Sequence, residues 1–244
     1  MDFDLDYFKE IANKIFNTPS PTGYTIEAIK LIQKLLLEMG YESKITKKGN
    51  LCVEIKGKDN SYTVATSAHT DTLGLMVRSI KPNGYLSVTN LGGPIIPTLD
   101  GEYCLVRNRD GKCYRGTILS TSPSSHVYKD ATQERNIANI EIRLDEVVNS
   151  VLDVKNLGID NGDFIFIDPK FMITESKINK QMGNITYTEG LILMSLDFSE
   201  VVSVFKKLPG LYKIIQVIAT AKRTIVPNKN VARKLFFANS ALIP

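Results

Sequence analysis

Cysteine is scarce in this 244-residue chain, which has only Cys52, Cys104 and Cys113. Their scattered spacing matches neither a zinc cluster nor an even-numbered disulfide framework. Histidine is rarer still, at two residues, His69 and His126. No apolar run approaches the roughly 20 residues that span a bilayer, so no membrane partner is expected. A signal peptide needs a basic start, whereas this chain opens with the acidic MDFDLDYFKE. Secretion is not expected, and the cytoplasm is the expected compartment. Also missing are a GxGxxG or GxxxxGKS/T phosphate loop, a GxSxG elbow and an HExxH helix. Internal repeats and low-complexity stretches are absent too.

What is present reads as a globular protein of one large domain or two modest ones, with 23% charged and 43% apolar residues. The net charge of +4 is unevenly spread. Residues 1–176 carry 20 Lys and Arg against 23 Asp and Glu, a net of −3. Residues 177–244 carry 10 against 3, a net of +7. A basic tail can contact nucleic acid. This one lacks the interleaving of aromatic and basic residues that such contact uses, so nucleic acid is not an expected partner.

Apolar residues at Leu5, Phe8, Ile11, Ala12 and Ile15 predict a helix over 4–16, broken by Pro19 and Pro21. A second helix starts near a Thr25 cap, carries Ile26, Ile29, Leu31, Ile32, Leu35, Leu36 and Met39 on its core side, and stops at Gly40. Strands follow at 41–46, 51–56 and 62–69, separated by KKGN and GKDN turns. This order reads as an α/β layer. From Leu73 to Pro169 the chain changes to short strands punctuated by glycines, with one amphipathic helix expected over 145–158. Such spacing suggests a small β-barrel or sandwich inserted into the α/β layer.

His69 ends the apolar strand 62–68, and Asp71 follows two residues later. In extended backbone, positions i and i+2 share a face. An imidazole and a carboxylate then meet at the C-terminal end of a strand, where open α/β sheets bind ligands. A neutral ring nitrogen can ligate a metal there, and the carboxylate can orient the ring. A capping histidine beside a turn aspartate explains the same pair. His126, in SPSSHVYKD, reads as a solvated loop residue. Asp153, Asp160, Asp163 and Asp168 cluster near the GIDNGDF turn and read as turn and cap residues. Ser67 has no triad partner at a useful spacing.

Taken together, several fragments resemble the TET-type aminopeptidases, dinuclear-metal peptidases also labelled glutamyl or deblocking aminopeptidases or endoglucanases. They are PSPTGYT (19–25), MGYE (39–42), the Gly49–Asn50 pair, AHTDTLGLMV (68–77), GYLSVTNLGG (84–93), DGKCYRGTIL (110–119), SPSSHVY (122–128) and NLGIDNGDFIFIDP (156–169). Their order and spacing extend over residues 5–176. The resemblance implies an α/β class fold, a zinc-peptidase-like layer interrupted by a small β-barrel domain used for oligomerisation. Its implied parts are residues 1–71, the inserted domain 72–165, and 166–244 as a remnant or divergent C-terminal part of the catalytic domain. It implies removal of N-terminal residues from peptide substrates by two divalent metal ions, zinc or cobalt, in a homo-oligomer. By position His69 resembles a metal ligand, and Asp71 the catalytic-site carboxylate that steadies it.

After ITES (173–176) the pattern departs. The family continues with a paired aspartate and a basic residue, and later a Glu-Glu pair, a further acidic ligand and a distal histidine. This chain reads SKINKQMGNITYTEG instead, and beyond residue 176 offers only Glu189, Asp197 and Glu200, with no histidine. The chain is also shorter than the family implies. An alternate-frame or degenerate tail, a functional basic element and a variant domain all remain open for 177–244. Apolar periodicity at 191–208 and 211–220 predicts a helix or strand there. The second metal site is not expected to form, and the alternative to an impaired aminopeptidase is an inactive oligomerisation or binding module.

Overall fold

The computed structural model describes residues 5–55, 59–169, 171–173, 178–180 and 231–238. Its helices are α1 (Leu5–Phe16), α2 (Ile26–Glu38) and α3 (Val151–Asn156). The strands before the barrel are β1 (Ser43–Ile45), β2 (Leu51–Ile55) and β3 (Asp59–His69). Those of the barrel are β4 (Gly74–Ile80), β5 (Leu86–Leu91), β6 (Tyr103–Arg107), β7 (Cys113–Ser120), β8 (Ile140–Leu144) and β9 (Phe164–Ile167). Three more follow: β10 (Phe171–Ile173), β11 (Ile178–Lys180) and β12 (Val231–Ala238). One compact unit contains α1 to β3 with β10 and β12, and a second contains Thr72–Lys170.

In the first unit the helical periods behave as their spacing requires. Ile11, Ala12 and Ile15 of α1 are buried, as are Ala28, Ile29, Ile32, Leu35 and Leu36 of α2. Each fully buried Leu or Ile contributes about 1.5–3 kcal/mol over an exposed one. Thr25 does occupy the cap position of α2, but its side chain makes no capping hydrogen bond. Its carbonyl instead accepts Ile29 N at 3.0 Å, so backbone geometry starts the helix. The helix ends where Gly40 N and Tyr41 N donate back to the Leu37 and Leu36 carbonyls.

The sheet of this unit runs in the order β1-β2-β12-β3. β12 pairs antiparallel with β2 and parallel with β3. The succession of β2 and β3 along the chain suggests neighbours, yet a segment of the basic tail lies between them. A parallel partner must arrive by a crossover of a dozen or more residues, so the pairing leaves no turn signal in the local sequence. The periodic segments at 191–208 and 211–220, together with Glu189, Asp197 and Glu200, lie outside the described residues.

In the second unit the strands close into a barrel, β4-β5-β8-β7-β6-β9, which removes the exposed edges of an open sheet. The barrel, rather than a sandwich, is the form the short-strand pattern takes. Its core alternates along each strand: Tyr114 and Ile118 of β7 point in, with Cys104 and Val106 of β6 and Ile140, Ile142 and Leu144 of β8. β9 carries the barrel to Ile167, past the boundary expected at residue 165.

The helix expected over 145–158 is shorter, only Val151–Asn156. Ser150 caps it by accepting from Asp153 N, which fixes the start at a residue whose own backbone is extended. Val147 is 93% exposed, while Val148 packs against the barrel core from non-helical backbone, so the apolar period before residue 150 does not bury a helical face. Among the described residues, no helix is long and apolar enough to cross a membrane.

Candidate functional site

The site is built from two short segments of the first unit. The first is the turn after α1. Tyr24 N donates to Pro21 O at 2.7 Å, closing a β-turn with Thr22 and Gly23 at its corner. Gly23 has φ +92°, the left-handed value that a type II turn requires of its third residue. The second segment is the end of β3, where Ala68 is buried and His69 is the last strand residue. The parallel register sets Ala238, the last residue of β12, beside His69.

Three residues converge there. His69 Nδ1 lies 3.2 Å from the Asp71 main-chain oxygen and 3.3 Å from Asp71 Oδ1. A carbonyl oxygen only accepts, so these partners assign the proton to Nδ1. Nε2 then carries the lone pair, the form in which imidazole ligates a metal. The Asp71 side chain is 3% exposed, and the Thr22 hydroxyl donates to its Oδ2 at 2.8 Å. A buried carboxylate needs such donors, because loss of hydration is costly unless it is replaced.

The expected juxtaposition of His69 and Asp71 is therefore present. Thr22 lies in the PSPTGYT fragment but receives no role in a sequence reading, because Pro19 and Pro21 announce only the end of a helix. The Pro-Thr-Gly order does carry a signal, since glycine in the third position of a turn places the preceding residue at its corner. His126 is exposed on the loop between β7 and β8. Asp153, Asp160 and Asp163 do perform cap and turn duty: Asp153 serves α3, Asp163 Oδ2 accepts Asp160 N at 2.8 Å, and Asp160 Oδ1 accepts Asn161 N at 2.8 Å. Cys104 is buried in the barrel core, and burial pushes its thiol pKa up, the state of an inert packing group.

Two buried hydroxyls of the same segments, Ser20 Oγ and Thr70 Oγ1, have no hydrogen-bond partner among the described residues. The donor set fits one metal-ligand position, at His69 Nε2. Among the described residues no group of three His, Cys, Asp or Glu side chains comes together to hold an ion. They do not by themselves form a two-ion centre.

The α/β layer with a closed barrel inserted after the His69–Asp71 segment is a fold shared with solved aminopeptidases, a TET peptidase among them. An aminopeptidase from the archaeon Desulfurococcus kamchatkensis has this fold, with a TM-score of 0.67 at 22% identity. That likeness covers 96% of this chain and 56% of the other. The Pyrococcus horikoshii TET1 peptidase, which can assemble into a tetrahedron or a large octahedral shell, also has a TM-score of 0.67, at 18% identity over 94% of this chain and 60% of its own.

Residues 49–184 match the family described as M42 glutamyl aminopeptidase, and the chain belongs to that family. Among curated relatives, YhfE of Bacillus subtilis, named as an aminopeptidase, is 45% identical over 68% of this chain and 49% of its own length. A lysyl aminopeptidase of Pyrococcus furiosus is 38% identical over 51% of this chain and 35% of its own. The chain thus spans about half or less of the curated relatives it matches.

Proposed function

We propose that this chain serves in metal-dependent removal of N-terminal residues from peptides, with His69 as a metal ligand through Nε2 and Asp71 as the carboxylate that steadies it. The observation carrying the proposal is the contact of His69 Nδ1 with the main-chain oxygen and Oδ1 of Asp71 at the C-terminal end of β3. Membership of the M42 family supports the reaction class. Peptidases of this family depend on metal; two divalent cations, zinc or cobalt, are read for the family's centre, and the second position is not proposed to form in this chain. A bound divalent ion supplies Lewis acidity toward the scissile carbonyl and acidifies water. The cytoplasm is the proposed compartment. Homo-oligomerisation is proposed from the shells that the Pyrococcus horikoshii TET1 peptidase forms.

The described residues hold one part of such a site. A missing general base typically lowers rate by about 10²–10⁴-fold. The chain on its own is therefore expected to bind zinc weakly and to hydrolyse aminoacyl nitroanilides near background. Protein dialysed against zinc or cobalt, with bound metal counted by mass spectrometry, tests this beside turnover. Retention should fall in His69→Ala. Equal retention in the variant would sink the ligand assignment. Two tightly held ions with brisk turnover would show that the residues outside the described ones complete the centre.

A further inference from the structure

The hydrogen bond from Thr22 to Asp71 joins residues 49 positions apart in sequence, and it meets the carboxylate on the oxygen that does not face His69. Terminal carboxylate torsions are broad, so a carboxylate held on one oxygen alone can swing its plane. Asp71 faces His69 through its main-chain oxygen at 3.2 Å and through Oδ1 at 3.3 Å, and it faces Thr22 through Oδ2, so the Thr22 hydroxyl orients the carboxylate half of that acceptor pair. The donor is well suited to that task. Thr is β-branched and stiff at χ1. Its backbone is held between Pro21, whose ring fixes φ, and Gly23, with the turn closed by Tyr24 N on Pro21 O.

We propose that Thr22 is a positioning residue for the His69 imidazole, acting through Asp71 to hold the ring in its Nδ1–H tautomer. This rests on the reading of His69 as a ligand only for its purpose. The geometry itself is independent of any metal. In water an unconstrained neutral imidazole favours the other tautomer, with the proton on Nε2, which cannot ligate through Nε2. The turn-held carboxylate thus joins the Asp71 main-chain oxygen in favouring the ring form that a metal can use.

Because the chain has only two histidines, the ring nitrogens can be followed in the intact protein by long-range proton–nitrogen NMR. The metal-free protein is recorded with chelator, at a pH where both rings are neutral. Wild type is expected to show His69 mainly as Nδ1–H. Thr22→Val, which removes the hydroxyl at nearly constant shape, should shift His69 toward the Nε2–H form, and Thr22→Ser should restore the wild-type pattern. His126, on its exposed loop, should not respond. If Thr22→Val fails to fold, Thr22→Ala makes the same deletion without added bulk. An unchanged His69 tautomer in the folded deletion variant, or a serine variant resembling the valine one, overturns the proposal.

Zinc affinity, measured by competition with a chelator, should fall about tenfold in the deletion variant, the scale seen when the partners of ligating histidines are removed. Were wild type to bind no zinc, the functional reading would fail while the tautomer comparison still decided the role of Thr22.

Discussion

At Gly116 the side chain is missing for a reason that a sequence pattern does not display. β7 alternates inward and outward, and position 116 falls on the inward side between Tyr114 and Ile118. A Cβ built there would lie 2.9 Å from the Arg143 main-chain oxygen and 2.9 Å from Ile142 Cγ2. The first obstacle is backbone of the paired strand β8, which cannot rotate away. Gly116→Ala is expected to destabilise the barrel by about 1–3 kcal/mol, the cost of overpacking a closed core. The urea midpoint should fall accordingly, and an unchanged midpoint would mean that β7 and β8 separate more readily than the register suggests. Gly116 reads in sequence as one more glycine of a β-rich stretch. His69 and Asp71, by contrast, were legible, because alternation along a strand is a local rule. Thr22 was not, since its partner lies beyond any local window.

Helix α3 shows how a short element depends on its start. With residues 151–156 only, it is far below the roughly 12–15 residues at which isolated helices become marginal in water. Its cap is reciprocal. Ser150 Oγ donates to Asp153 Oδ2 at 2.8 Å and accepts from Asp153 N at 3.2 Å, while Asn149 N donates to Asp153 Oδ2 at 3.0 Å. The Asn149 amide, and after it the Ser150 hydroxyl, hold the Asp153 carboxyl below its ordinary pKa. A lowered carboxylate pKa means stability present above the unfolded value and lost as pH falls through the folded one. Ser150→Ala should cost about 1 kcal/mol at neutral pH, as loss of an N-cap does. The loss should shrink on acidification below the ordinary carboxylate range, as urea titrations at the two pH values would report. A constant loss would assign the effect to the hydroxyl-to-amide bond alone. Sequence periodicity placed a helix here but not its start, because Val147 continues the apolar spacing without covering any core. The place of β12 was out of reach for a different reason: its partners are β2 and β3, and no turn links it to either.

Across the whole molecule, the buried side chains of the barrel come from one uninterrupted stretch. The cluster runs from Leu75 and Val77 through Leu86, Val88, Leu99, Cys104 and Ile118 to Ile140, Val154, Ile159 and Ile167. Each lies within Thr72–Lys170, so among the described residues this core is drawn from that stretch. Ring closure pairs β9 with both β4 and β6, leaving no strand of the barrel unpaired on one side. Outside the core, the buried Glu141 is met by Lys81 Nζ at 2.6 Å, and Asp100 by Arg135 Nε at 2.9 Å, so these two carboxylates are answered inside the stretch. A segment of about 100 residues is a common domain size and can bury enough surface to fold alone. Residues 72–170 expressed by themselves are therefore expected to give a β-rich circular dichroism spectrum and one cooperative urea transition. Because the core includes Val154 and Ile159, which follow the last strand but one, a shorter fragment ending at Leu144 should lose that cooperativity. A broad transition or strong binding of a hydrophobic dye by the 72–170 fragment would show instead that the barrel needs the α/β unit in order to fold.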